Sequence, residues 1–396
     1  MANNLLHQCG HNSNWNIDTF KEDECGNGLI LSPVHQKLRQ IELLDKHVRT
    51  HSIFDPQFYL PNSQKANLST YPFFPEKITP AGFTTEDFTL VAYEAAKQCV
   101  DFQIANGFSH IIIPARYLDQ LYPDLTERQE AFTVHPFLKA LSRKKPKKPI
   151  YLTLPLTSHM ITSKPFRTQI LNWATSFPEI AGIYVMAAPL DTSAKQIQSD
   201  DFLFSFMEFL LQLRRADLEV LVGYCNTDGL LYLLVDGCDI TFGTFENTRI
   251  FSTDKFLISD EDRRGPRARI FCTGLLNWIQ LNQAKDIMEE DANLWEAIYD
   301  PTAEGDRALH LPIEPRFNQA FVYKHHFKSY SRLISSLKIL PVAERYQAIR
   351  SRLRKATEYY GQIADLPIDL ETHSRGAHIQ PWLDATNKFY RTYLKP

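Results

Sequence analysis

No apolar run in this 396-residue chain approaches the roughly 18 residues that a membrane span needs, so no membrane association is expected. The first residues, MANNLLHQCGHNSNWN, hold no charged start followed by an apolar stretch, and so do not read as a secretory signal. The six cysteines, at 9, 25, 99, 225, 238 and 272, include no CxxC pair, which counts against a zinc ribbon. Cys9, His11 and Cys25 lack an evident fourth ligand, so no metal is expected, and nothing calls for a cofactor. Thiols scattered in this way, three of them among apolar neighbours, fit a reducing, cytoplasmic setting. No GxGxxG follows the first apolar run, which counts against an open dinucleotide-binding sheet. A net charge of −3 argues against a surface that coats nucleic acid generally, while leaving room for a local basic patch. There is no tandem repeat.

What is present is alternation. Apolar runs bounded by turn signals occur at 28–32 (GLILS), 52–54, 110–113 (HIII), 149–154 (PIYLTL), 181–186 (AGIYVM), 219–222 (EVLV), 238–242 (CDITF) and 269–272 (RIFC). Near-continuous Ile, Val and Leu suits strands buried on both faces. Helices are expected between them at 34–49, 84–105, 127–142, 165–176 and 200–215, with a short one at 228–234. Alternating β and α elements imply a parallel sheet, and eight repeats favour closure. The fold expected is α/β, a (β/α)8 TIM-like barrel over residues 1–311 with a C-terminal helical extension over 312–396.

That extension is basic. Lys324, Lys328, Arg332, Lys338, Arg345, Arg350, Arg352, Arg354 and Lys355 interleave with Phe327, Tyr330, Leu333, Leu337 and Leu353 at helical spacing. Its outer face either meets phosphate or an acidic partner, or simply keeps the chain soluble. The run RKKPKK at 143–148 falls on the stability face of a barrel and reads as a solubility device. The segment 55–75, DPQFYLPNSQKANLSTYPFFP, is long, and rich in proline and aromatics. Phe58 and Tyr59, with Tyr71 and Phe73, either stack a planar base or plug the barrel mouth.

Polar residues gather where strands end, as in a barrel that keeps its chemistry at that face. Asp55 follows the second of these runs and is either a general acid or base, or a loop cap. Arg116, ending IIIPAR, offers a bidentate grip on carboxylate or phosphate, or a structural salt bridge. His159 is a weak candidate proton carrier, and Asp191 and Asp228 fit helix caps. The segment 221–249, LVGYCNTDGLLYLLVDGCDITFGTFENTR, is richest. It sets Tyr224, Asn226, Asn247 and Arg249 as candidate substrate contacts and Glu246 as an acid beside a fixed cation. Glu246 would stay ionised there as a nucleophile or stabiliser, or else form a loop-stabilising pair with Arg249. Asp55 and Glu246 facing one another would suit attack at a glycosidic carbon.

The same segment resembles the tRNA-guanine transglycosylase family. The likeness lies in LVGYCNTDG, a short helix, then VDGCD and Thr248-Arg249, preceded by AGIYVMAAP at 181–189. It covers residues 181–249 and implies a TIM barrel that recognises a base and exchanges it in nucleic acid. Where that family carries its catalytic aspartate this chain has Thr241, Phe242 and Gly243; Ala187-Ala188-Pro189 replaces the glycine-rich base loop, and the cysteine-rich zinc site has no counterpart.

The function expected is therefore a transglycosylase-like barrel that binds a nucleobase or nucleotide in nucleic acid and cleaves or exchanges its N-glycosidic bond, with Asp55 and Glu246 as the working acids and the contacts above holding the substrate. Two other classes stay open. One is a non-catalytic barrel that joins a protein partner or a second copy of itself; the other is a carbohydrate-active hydrolase.

Overall fold

The computed structural model describes residues 3–60, 63–74, 91–120, 122–189, 195–258 and 265–395. Eight parallel strands run as β1 (Leu5–Gln8), β2 (Gly28–Leu31), β3 (Ser52–Phe54), β4 (Ile111–Ile113), β5 (Ile150–Thr157), β6 (Gly182–Ala188), β7 (Glu219–Val222) and β8 (Cys238–Gly243). Their order is β3-β2-β1-β8-β7-β6-β5-β4. The two outer strands of this order approach each other where the Ser109 amide donates to the Ser52 carbonyl at 2.9 Å, which nearly closes the sheet into a (β/α)8 barrel. The barrel core is apolar on both strand faces, as the runs of Ile, Leu and Val require: Leu29, Ile30, Leu31, Ile111, Ile112, Ile113, Ile183 and Val185 are all fully buried.

Membership of the barrel differs from the sequence expectation in one strand. Arg269–Cys272 does form a strand, β9, but it pairs antiparallel with β10 (Asn277–Gln280) in a separate hairpin. The eighth place belongs to β1, which pairs with β2 on one side and with β8 on the other, Leu5 opposite Ile240 and Gln8 opposite Gly243. Its sequence, LLHQ, looks half polar because His7 and Gln8 are buried polar residues. The Asn16 amide and the Cys25 carbonyl satisfy His7, and the Tyr184 hydroxyl donates to Gln8. Burial of polar groups with such partners defeats an apolar-run criterion.

Helices fill the crossovers with local changes. The expected helix at 34–49 is two short ones, Leu38–Glu42 and Lys46–Thr50. That at 84–105 is described only from its helix at Ala92–Asn106, which ends on Gly107 at φ +72°; its earlier residues lie outside the described ones, as does Asp191. Asp200–Arg215 matches its expected bounds. The Ser199 hydroxyl accepts from the Phe202 amide, and Asp200 and Asp201 sit at the positive end with Arg214 and Arg215 at the negative end.

The C-terminal region is helical, as expected, at Ala320–Lys338, Val342–Ala364 and Ile379–Phe389. Much of its basic run faces the barrel. Lys328 pairs with Asp23 at 2.8 Å and with Glu304, Arg332 with Asp300 at 2.8 Å, and Lys324 lies within 4.0 Å of Asp18 and Glu22. Arg345 is buried and donates to five groups, the carbonyls of Leu233, Leu337, Lys338 and Leu340 and the Asn3 side chain. Among the described residues no helix is long and apolar enough to cross a membrane.

Candidate functional site

Two polar assemblies occupy the face where the barrel strands end. The first is a closed cluster built from successive strand ends. Gln8 ends β1, Ser32 follows β2, Asp55 and Gln57 follow β3, and Tyr224 follows β7. Asp55 is fully buried. Its carboxylate accepts from the Tyr59 hydroxyl at 2.9 Å, the Gln57 amide at 3.0 Å and the Tyr184 hydroxyl at 3.5 Å. The Gln57 side chain accepts from Ser32 at 2.9 Å and donates to the Tyr224 hydroxyl at 3.3 Å. Lys255, on the short helical turn Thr253–Phe256 beyond β8, donates to that same hydroxyl.

Burial dominates the electrostatics of this cluster. It pushes the Asp55 carboxyl up, against the pull of Lys255 and of the bonds from Tyr59 and Gln57. It pushes the Lys255 ammonium down, against the pull of Asp55. Two residues of the cluster, Gln57 and Tyr224, adopt left-handed backbone at φ +57°, a conformation that costs a non-glycine residue about 1 kcal/mol or more. Gly223 lets the chain reach it: a Cβ there would come within 2.6 Å of the Tyr184 ring.

The second assembly is an open cavity of about 390 Å³ beside the end of β8, within the size range of small-ligand sites. The chain folds back tightly after β8, and a Cβ on Gly243 would fall 2.6 Å from the Thr248 carbonyl oxygen. This return presents Phe245, Glu246, Asn247 and Arg249 along one wall. Pro266, Arg267, Arg269 of β9, Trp278 of β10, Phe317 and Tyr323 complete the lining, with His11 in the loop after β1.

Arg249 is the centre of this cavity. It is 8% exposed, its guanidinium carbon lies 4.3 Å from the centroid of the Trp278 ring, and its Nε and one terminal nitrogen are buried without a hydrogen-bond partner. Stacking on the indole recovers part of the desolvation cost of the charge, but buried N–H donors left without acceptors are expensive. Arg269 likewise has one buried terminal nitrogen without a partner, while its other bonds Glu371. Glu246, half exposed at the rim, accepts from Lys195. Partial burial would raise its pKa, but the Lys195 bond, with Arg249 and Arg269 nearby, holds it below the usual range and so ionised.

The residues expected from sequence thus divide among several places. Glu246, Asn247 and Arg249 come together in the open cavity. Tyr224 and Asn226 line a second, smaller pocket that Arg249 also borders, and Asn226 donates to the Lys195 carbonyl at 2.6 Å. Asp55 lines neither space and belongs to the closed cluster. Phe58 and Tyr59 are fully buried; Phe58 packs on Phe73, Phe74 and Phe137, and Tyr59 on Phe251 and Phe256. They are the plug of the two roles considered for that loop. Arg116 is buried beneath it, donating to the carbonyls of Phe58 and Leu60 at 2.8 and 2.6 Å, so its grip is spent on backbone. Asp228 accepts from the Asn226 amide and from the Tyr232 hydroxyl, and caps no backbone amide of the helix Gly229–Tyr232 that follows it. His159 is exposed on a short helix after β5.

Lys255, Arg269, Trp278, Phe317 and Tyr323 are the residues that sequence reasoning missed. A lone lysine in FSTDKF reads as solvent-facing, and the other four lie in segments assigned to the core or to the helical extension. Among the described residues, no group of three or more His, Cys, Asp or Glu side chains is placed to hold a metal ion. No family model, curated protein or solved structure matches the chain.

Proposed function

We propose that the open cavity binds an anionic, planar ligand of the nucleotide class. The observation that carries this reading is Arg249: a buried guanidinium, stacked on an indole, with two N–H donors unanswered by protein. A phosphate supplies the missing acceptors in the geometry that arginine prefers. Arg269 and the exposed Arg267 add positive charge on the same wall, while Phe245, Trp278, Phe317 and Tyr323 offer aromatic faces for a base. A ligand that tracks along the C-terminal helices finds less support, since Lys324, Lys328, Arg332 and Arg345 are engaged by the rest of the chain. A mononucleotide suits the enclosure better than a polymer.

Within this reading Glu246 is the carboxylate that would serve glycosidic chemistry. It is held ionised at the rim by Lys195, as a group that steadies positive charge on a sugar must be. Asp55, enclosed by Tyr59 and Tyr184, is not its partner in this proposal.

Calorimetric titration with guanosine, adenosine and uridine monophosphates, each beside its unphosphorylated nucleoside, tests the binding. At least one monophosphate is expected to bind tighter than its nucleoside by roughly 30-fold, the worth of charge-assisted bonds to a buried arginine. Arg249→Met is expected to erase that difference while leaving the circular dichroism spectrum intact. Absence of binding by all three monophosphates at millimolar concentration would sink the proposal. Release of free base from the bound nucleotide, lost in Glu246→Gln with affinity retained, is the result expected if the cavity is also catalytic; binding with no release assigns it to recognition alone.

A further inference from the structure

The closed cluster holds an amine in an arrangement that solubility does not require. Lys255 Nζ lies 3.6 Å from the centroid of the Tyr224 ring, 5.2 Å from that of Phe256 and 5.6 Å from that of Phe251. Its hydrogen bond is to the Tyr224 hydroxyl, and that hydroxyl also receives Gln57. A lysine kept only for charge would extend to water, since the ammonium is strongly hydrated and its stem is flexible. Here the amine packs against three aromatic rings instead. Two of the residues that set its surroundings, Gln57 and Tyr224, carry left-handed backbone, and strain of that kind is stored where a side chain must be held in one position. Lys255 is only partly buried, so the cluster is reached from solvent at that residue.

We propose that Lys255 is a carbonyl-reactive amine that forms an imine with a small aldehyde or ketone, with the Tyr224 hydroxyl as its proton donor and acceptor. The neutral amine attacks the carbonyl carbon; the C=O double bond opens, and the oxygen takes a proton from the Tyr224 hydroxyl while the ammonium formed returns one to it. Loss of the hydroxyl group as water, carrying a proton, leaves C=N in place of C=O. Nothing is oxidised or reduced, and the only species released is water. Burial favours the uncharged amine that this step needs. Asp55 stands behind the cluster, buried and hydrogen-bonded by Tyr59 and Tyr184. It is a second group able to hold a proton, and it is charge-complementary to the iminium. This assignment is independent of the nucleotide reading; either can fail without the other.

Reductive trapping tests it directly. The intact protein is treated at neutral pH with propanal and cyanoborohydride, digested, and the alkylation rate of each lysine read by mass spectrometry. Lys255 is expected to react at least ~10-fold faster than the exposed Lys46 and Lys147, because an ordinary surface lysine is almost wholly protonated at that pH. Labelling of Lys255 at or below the rate of those two overturns the proposal. Tyr224→Phe, which keeps the ring, is expected to slow labelling of Lys255 several-fold and leave the surface lysines unchanged; an unaltered Lys255 rate in that variant removes Tyr224 from the step.

Discussion

Acidification is expected to unfold this protein cooperatively with a midpoint between about pH 4 and 5. The cause is a set of histidines buried without charge. Burial holds His7 and His325 down to about 4, His378 to about 3, and His326 well below its ordinary value. Their surroundings explain it: His7 is satisfied by the Cys25 carbonyl and Asn16, His325 by Thr302 and the Phe271 carbonyl, and His326 stacks on Tyr330 and packs against Trp278. A histidine whose folded-state pKa lies below its unfolded value stabilises fully above pH 6.5 and loses that stability as pH falls towards the folded value. Two carboxyls work the other way. Burial raises Asp228 to about 6 and also raises Asp55, so both gain protons on folding as pH falls through that region and partly offset the histidines. The net loss between pH 6.5 and 4 is on the order of 10 kcal/mol, as large as the whole stability of a typical domain. Far-ultraviolet circular dichroism and tryptophan fluorescence followed along a pH titration decide the matter; a native signal retained at pH 4 refutes it.

Arg345→Met is the substitution expected to destabilise most, by about 4 kcal/mol. Arg345 is 3% exposed at its side chain and joins three parts of the fold. Its guanidinium caps the carbonyls at the end of the Ala320–Lys338 helix, donating to Leu337, Lys338 and Leu340, and it crosses to Leu233 and Asn3 on the barrel. Methionine fills much of the volume but removes the donor to the Leu233, Lys338 and Leu340 carbonyls, while Leu337 keeps the Leu340 amide; each carbonyl left unanswered costs about 1–3 kcal/mol. The nearby Asp236, 3.6 Å away and half exposed, is rehydrated at little cost. Urea denaturation of the variant beside the parent measures the difference; a shift below about 1 kcal/mol would show that water reaches these carbonyls.

The fold was readable in the sequence because most of its strands are unbroken apolar runs between turn signals. It was misread where that rule and burial part company. RIFC is apolar and buried, yet it belongs to a hairpin, since the four residues after it return the chain at once to Asn277. LLHQ carries two polar side chains whose partners, Cys25, Asn16 and Tyr184, are distant in sequence. The site was legible in the same uneven way. Glu246, Asn247 and Arg249 lie in one short return after β8, so local sequence collects them. Trp278 and Tyr323 reach Arg249 from a hairpin and a helix tens of residues further on, and nothing in a loop lysine announces that Lys255 points inward. Asp55 was visible as an acid at a strand end, but its enclosure by Tyr59 and Tyr184 depends on tertiary packing.

The position of β1 has a consequence for synthesis. Of the two strands that flank residues 5–8, β8 lies about 235 positions later in the chain, Leu5 opposite Ile240. At ordinary elongation rates of roughly 5–20 residues per second, that partner emerges on the order of 10–50 s after the strand it must join. Throughout that interval one side of β1 is a free edge able to pair with the wrong neighbour. The nascent chain is thus expected to depend on holding by chaperones until β8 leaves the ribosome, and stalling translation before residue 243 should leave a chain that proteases cut readily around β1.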